Sequence, residues 1–200
     1  MMSRTRVALA AAALLLGGAY LAPLWHIGLD APQYPEGLGM LIWIGAITGQ
    51  KPHDLQNING LNHYIGMKAI VPDAIPELSM MPSIVAALIV LGLAGAAAGR
   101  RWLLYGWTVT LATVAAAGLA DFWYWGYDYG HTLDPTAAIR IPGFSYQPPI
   151  LGTKQLLNFT AHSWPAAGGW AIAAGLAIAA GICVIEFRRG RAPGALRQAA

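Results

Sequence analysis

Charge is what this chain has least of. Only 10% of its 200 residues are Asp, Glu, Lys or Arg, while 56% are hydrophobic. A soluble domain carries about 25% charged residues, so the deficit argues for an integral membrane protein. Cysteine is nearly absent too. Cys183 stands alone, so no disulfide closes within the chain, and there is no CxxC pair and no CxxCH haem-attachment motif. A Gly-rich phosphate loop, paired carboxylates at catalytic spacing and a candidate nucleophile are also missing, so no enzymatic activity is expected. The basic residues flank apolar runs and form no stripe, so nucleic acid is not an expected partner.

What is present is four apolar runs. A membrane helix needs about 20 mainly apolar residues, which predicts spans at residues 7–25, 82–99, 102–123 and 166–187. Arg4 and Arg6 precede the first, Arg100 and Arg101 separate the second and third, and Arg188, Arg189, Arg191 and Arg197 follow the fourth. The positive-inside rule makes these places cytoplasmic. Both termini then lie inside the bacterial inner membrane, in contact with its lipid, and the loops 26–81 and 124–165 lie outside. Residues 1–187 form one membrane domain and 188–200 a solvated cytoplasmic tail. An alternative for the first run is a signal peptide cut after Ala19. The expected fold class is therefore an all-α integral membrane protein with four transmembrane helices and an ordered extracytoplasmic cap.

All five histidines fall in the outer segments: His26, His53, His63, His131 and His162. In the first loop, Pro32 and Pro35 interrupt regular structure. "GMLIWIGAITG" is too short to span, and is either an interfacial helix or a strand pair. In "KPHDLQNINGLNHYIGMKAI" the apolar residues Leu55, Ile58, Leu61, Ile65 and Ile70 recur at spacings of three to five, which reads as an amphipathic helix weakened by Gly60 and Gly66. On such a helix His63 and Met67 share a face, as would Glu36 and Met40. The second loop is aromatic, "DFWYWGYDYGHTLD", in the manner of a membrane-interface belt, and then becomes an ordered irregular loop. "NFT" is a formal glycosylation pattern without meaning in a bacterial chain.

At "APQYPEGLGM", "DLQNINGLNHYIGMKAI", "YDYGHTLDP", "SYQPP" and "KQLLNFTAHS" the chain resembles a family of small four-helix bacterial integral membrane proteins. Their genes lie with those for nitrous oxide reductase maturation, including the copper lipoprotein NosL. The resemblance covers nearly the whole chain. It implies an accessory role in periplasmic copper handling or in assembly of a copper enzyme, and it supplies no ligand residues. From the residues themselves, Cu(I) favours thioether and imidazole donors. His63 and Met67, completed by His26 or Met40, are the candidate metal ligands, with Met80 and Met81 nearby. A haem b held between His26 and His162 is an alternative, in a membrane subunit of a respiratory complex. A quinol site is a third, but Asp121 and Glu186 lie near opposite ends of spans, where both would be solvated. Asn59 and Asn62, on the polar face of the predicted helix, are the candidate docking residues for a periplasmic or membrane protein partner.

Overall fold

The computed structural model describes residues 1–191. The expected tail, 188–200, lies outside the described residues from position 192 on. The elements in chain order are α1 (Ser3–Leu15), α2 (Gly18–Leu21), β1 (Trp25–Ala31), β2 (Tyr34–Ile42), β3 (Ile47–Gly49), α3 (Asp54–Ile65), α4 (Pro76–Ala98), α5 (Arg101–His131), β4 (Gly152–Leu156), β5 (Phe159–Pro165) and α6 (Ala167–Arg191). The expected all-α fold class is thereby corrected. The segments expected outside the membrane build a five-stranded antiparallel sheet in the order β3-β2-β1-β5-β4, and the fold is mixed α/β.

Among the described residues four helical stretches are long and apolar enough to cross a membrane: Ser3–Leu21, Pro76–Ala98, Arg101–His131 and Ala167–Gly190. The third continues past its expected end at 123, so the second loop begins as helix. Its last turns are laced by i,i+4 ring contacts, Trp123 with Tyr127, Trp125 with Tyr129 and Tyr127 with His131. The chain divides into two compact units. One comprises Met1–Gly18, Ser83–Ala115 and the described residues from Ala171 to 191; the other comprises Ala19–Pro82 and Ala116–Trp170.

In the first unit α1 buries Leu9, Ala12 and Ala13 fully, as the chain does Leu16 just beyond it. Small residues make this possible. A Cβ at Gly92 of α4 would fall 2.7 Å from Ala13 Cβ and 2.8 Å from Trp107 Cε2, and one at Gly175 of α6 would fall 2.9 Å from the Ala12 carbonyl oxygen. Close backbone approach at glycine and alanine is how helices associate where no hydrophobic driving force exists between them. Arg6 Nε donates to the Ala96 carbonyl at 2.8 Å, at the C-terminal end of α4. Glu186 does not stay solvated as the sequence suggested. It is 1% exposed, accepting from Thr5 Oγ1 at 2.8 Å and from Arg101 Nε at 2.7 Å. One carboxylate thus ties α1, α5 and α6.

The second unit is organised by period-two alternation. β1 is the middle strand. Ile27 pairs with Met40 and Leu29 with Leu38, and these four lie on one face. That face packs on Ile58, Leu55 and Leu61 of α3 and on Phe122. Trp25 closes the same core, donating from Nε1 to Ser163 Oγ at 2.8 Å. The prolines do interrupt the ladder, but locally. Pro32 sits in the two-residue connection between Ala31 and Tyr34, and the register shifts between Leu29 and Ala31, opposite Pro35 and Gly37 (φ +66°). An irregular stretch is where a strand tolerates a residue without an N–H.

The amphipathic helix read from the sequence is α3, but it ends at Ile65. Gly66 takes φ +80°, and Met67 N–H reaches back to the Asn62 carbonyl at 2.8 Å, a glycine-terminated cap. At the other end, Asp54 is buried and accepts backbone N–H bonds from Gly39 at 2.9 Å and Lys51 at 3.1 Å, fastening α3 to β2. The second loop docks on the helix end: Asp134 N–H donates to the Gly66 carbonyl at 2.8 Å and Ile139 N–H to that of Tyr64 at 2.9 Å. The hydroxyl and backbone N–H of Thr136 hold the Asp134 carboxyl below its ordinary pKa. Burial pushes the Tyr146 phenol up.

The Glu186 tie gives a stability prediction. Glu186→Ala leaves the Arg101 guanidinium and the Thr5 hydroxyl without their common acceptor. The loss is set at about 2–3 kcal/mol, below the range of about 3–5 kcal/mol for a broken, fully buried ion pair, because Arg101 is partly exposed. Denaturant unfolding in detergent is expected to show this destabilisation. An unchanged midpoint would mean that the pair contributes nothing to helix association.

Candidate functional site on the open face of the sheet

The same alternation that buries Ile27, Leu29 and Met40 turns the intervening residues to the opposite face. On β1 these are His26, Gly28 and Asp30. Across the β1–β5 pairing, His26 stands opposite Trp164 and Gly28 opposite His162. Across β2 and β3, Gly39 stands opposite Gly28, and Gln50 N–H bonds to the Gly39 carbonyl at 2.8 Å. His26, Gly28, Asp30, Gln50, His162 and Trp164, with Glu36, Gly37 and Lys51, line a groove of about 350 Å³, at the small end of the usual range for ligand sites.

Glycine makes the floor. A Cβ at Gly28 would lie 3.5 Å from His26 Cε1 and 4.0 Å from His162 Cδ2, so both imidazoles border one spot. A Cβ at Gly39 would collide with Gln50, whose side chain lies flat across that position. Each imidazole is then held by hydrogen bonds. His26 Nε2 lies 2.9 Å from Gln50 Oε1. His162 Nε2 lies 3.0 Å from Asp30 Oδ2, and its Nδ1 lies 2.8 Å from Thr153 Oγ1 on β4. A carboxylate only accepts, so His162 donates from Nε2–H to Asp30. The Lys51 ammonium is committed to the Glu36 and Gly37 carbonyls at 2.8 and 3.1 Å and to the Glu36 carboxylate at 3.7 Å. The Asp30 carboxylate is 70% exposed, and among the described residues it meets His162 and no lysine or arginine.

The four metal candidates from the sequence do not converge. His26 is in the groove, but Met40 is on the other face of the sheet, 7% exposed within the apolar core. Its neighbour-but-three, Glu36, is on a strand, so the helical spacing between them does not exist. His63 is exposed on the last turn of α3, with Tyr64 edge-on at 6.1 Å. Met67 lies beyond the Gly66 turn, so the two do not share a helical face. Among the described residues no group of three or more His, Cys, Asp or Glu is placed to hold a metal ion. His26 and His162 do come together, but side by side on one face, whereas axial haem ligands approach iron from opposite sides. The residues that sequence reasoning passed over are Asp30, Gln50, Thr153 and Trp164. Their signal was the alternation in "WHIGLDA" and "FTAHSWP".

The two asparagines singled out for docking are engaged within the chain. Asn59 grips the backbone of Ile70 from both sides, donating from Nδ2 to its carbonyl at 3.0 Å and accepting its N–H at 2.7 Å. Asn62 is buried and donates to the Lys68 carbonyl at 3.4 Å. The polarity of "NINGLNHYIGMKAI" thus satisfies the chain where it turns back along α3. Asn59→Ala removes both bonds to Ile70 and is expected to cost about 1–3 kcal/mol. Hydrogen exchange should show faster exchange at Ile70 while the groove residues keep their protection. Unaltered protection at Ile70 would contradict the structural role.

No family model matches the chain, and no curated protein or solved structure is significantly similar to it.

Proposed function

We propose that this chain is a non-enzymatic, multi-pass protein of the bacterial inner membrane that assists copper handling outside the cytoplasm. Its service is to the assembly of a periplasmic copper enzyme of the nitrous oxide reductase kind. Copper is a passing cargo, met at the open face of the sheet and handed to a protein partner.

One observation carries the proposal: His26 and His162, on adjacent strands, border the same glycine on the same exposed face. Imidazole is a good donor to copper, and Cu(I) accepts as few as two ligands. A site with two imidazoles and no third strong donor suits a metal that arrives and leaves. The four long apolar helices and the arginines that flank them on one predicted side support a membrane location with the sheet outside. The resemblance to proteins associated with NosL-type copper genes points the same way.

Competition with a chromophoric Cu(I) chelator tests the proposal on the purified protein in detergent. The double variant His26→Ala with His162→Ala is expected to lose at least about tenfold in Cu(I) affinity, or roughly 1.4 kcal/mol, with its circular dichroism and melting unchanged. His63→Ala with Met67→Ala is expected to bind as the parent does. The opposite pattern would move copper to the end of α3, and a parent protein that fails to compete would remove copper from the account.

A further inference from the structure

Charge is unevenly matched in the helical unit. Among its described residues the only acid is Glu186. Its arginines include Arg4 and Arg6 on α1, Arg100 and Arg101 at the turn from α4 to α5, and Arg188 and Arg189 on the last turns of α6. Contacts gather these three places at one end of the unit. Arg6 Nε donates to the Ala96 carbonyl at 2.8 Å, Arg101 Nε donates to the Glu186 carboxylate at 2.7 Å, and the Arg189 guanidinium reaches Met2 at the start of α1. Glycine leaves room for the side chains. A Cβ at Gly99 would lie 3.3 Å from Arg6 Nε, and one at Gly190 would lie 3.3 Å from Arg101 Nη1.

Hydrogen bonding leaves most of this charge uncompensated. Of the six, Arg101 alone meets a carboxylate among the described residues. Arg6 is held by the Ala96 and Ala97 carbonyls and Arg189 by a thioether, which are neutral acceptors. The side chains of Arg4, Arg100 and Arg188 are exposed, and among the described residues they make no hydrogen bond and no ion pair. Like charges crowded in this way repel one another, and an anion from outside relieves the repulsion. The neighbouring surface tells which kind of anion fits. Trp102 directly follows the cluster and is exposed, Val7 is exposed on α1, and Val184 and Ile185 are exposed on α6 one turn before Arg188. The basic end thus passes straight into apolar surface. A soluble phosphate makes no use of that border. A phospholipid sets its phosphodiester at the level of the guanidinium groups and its acyl chains along the helices. Tryptophan favours the same boundary, and the planar fork of arginine matches two phosphate oxygens at once.

We propose that this end of the helical unit is a docking surface for anionic phospholipid of the cytoplasmic leaflet. Arg4, Arg100 and Arg188 take the phosphodiester oxygens, and Trp102 and Val7 meet the upper part of the acyl chains. Basic clusters between helices on the cytoplasmic side suit such headgroups. The assignment rests on the membrane location proposed above and is independent of copper.

The test is native mass spectrometry of the full-length protein released from detergent micelles, titrated with phosphatidylglycerol or with zwitterionic phosphatidylcholine. Phosphatidylglycerol is expected to bind at least about tenfold more tightly. Arg4→Gln, Arg100→Gln and Arg188→Gln should each weaken it by about fivefold, the worth of one arginine near an anionic lipid surface. Each single change leaves the other arginines to orient the helices. Arg140→Gln with Lys154→Gln removes two charges from the other unit and should bind as the parent does. Inorganic phosphate at millimolar concentration should not displace the lipid. Equal affinity for the two lipids, unaltered phosphatidylglycerol binding in all three single variants, an equal loss in the variant of the other unit, or displacement by inorganic phosphate would each overturn the assignment and leave the copper proposal standing. Recovery of the protein in the soluble fraction of lysed cells without detergent would overturn both.

Discussion

The pairing of β1 with β5 is the constraint on which the rest depends. It joins Trp25–Ala31 to Phe159–Pro165 in antiparallel register, two segments separated by most of the chain. Closing so long a loop has an entropic cost that grows only slowly with length, but it must be met before any contact rewards it. The return comes on the inner face, where Trp25, Ile27 and Leu29 leave water against α3 and Phe122. The outer face is determined by the same act. Once Ile27 points inward, His26 and Gly28 point outward, and the register alone brings His162 beside them. A slip of one residue would exchange the faces, burying His26 and exposing Ile27. The groove is thus a consequence of core formation.

The helices and the strands differ in how far the sequence reveals them. The four apolar runs are legible because a long stretch of Ala, Leu, Ile and Gly has few alternatives to a membrane-compatible helix. Their ends are less so. α5 runs on to His131 because aromatic side chains four apart stack along it, a contact that hydropathy does not register. α3 is legible from its apolar spacing, but Gly66 reads in the sequence only as a weakness, and the stop it makes is what parts His63 from Met67. The strand-pair reading of "GMLIWIGAITG" is met by β2 and β3, but the other strands escape notice because each is short and because prolines and glycines, which read as breakers, sit in the turn and the irregular stretch of β2. The inner residue of β1, Trp25, merges with the preceding apolar run, which hides the alternation of "WHIGLDA".

For the site, the residue type is legible and the constellation is not. Histidines concentrated in the segments between the apolar runs mark that region, and His26 is among the sequence candidates. Its partners are not visible there, since Gln50 and His162 reach it or its neighbours across strands. Met40 shows the converse error. A methionine offers a soft sulfur, but it is also a good core filler, and only the pleat decides which role it takes. Glu186 misleads for a similar reason. Near the end of a helix it could have reached water, yet Thr5 and Arg101 come from two other helices to meet it.

The central claim is that the open face of the sheet, at Gly28 between two imidazoles, is where this protein meets its metal. Anomalous diffraction at the copper edge from crystals soaked with Cu(I) under reducing conditions tests it most directly. The account predicts one dominant peak over Gly28, within bonding distance of a nitrogen of His26 and adjoining His162. A dominant peak at His63 and Met67, or a map with no ordered copper under saturating Cu(I), would contradict it.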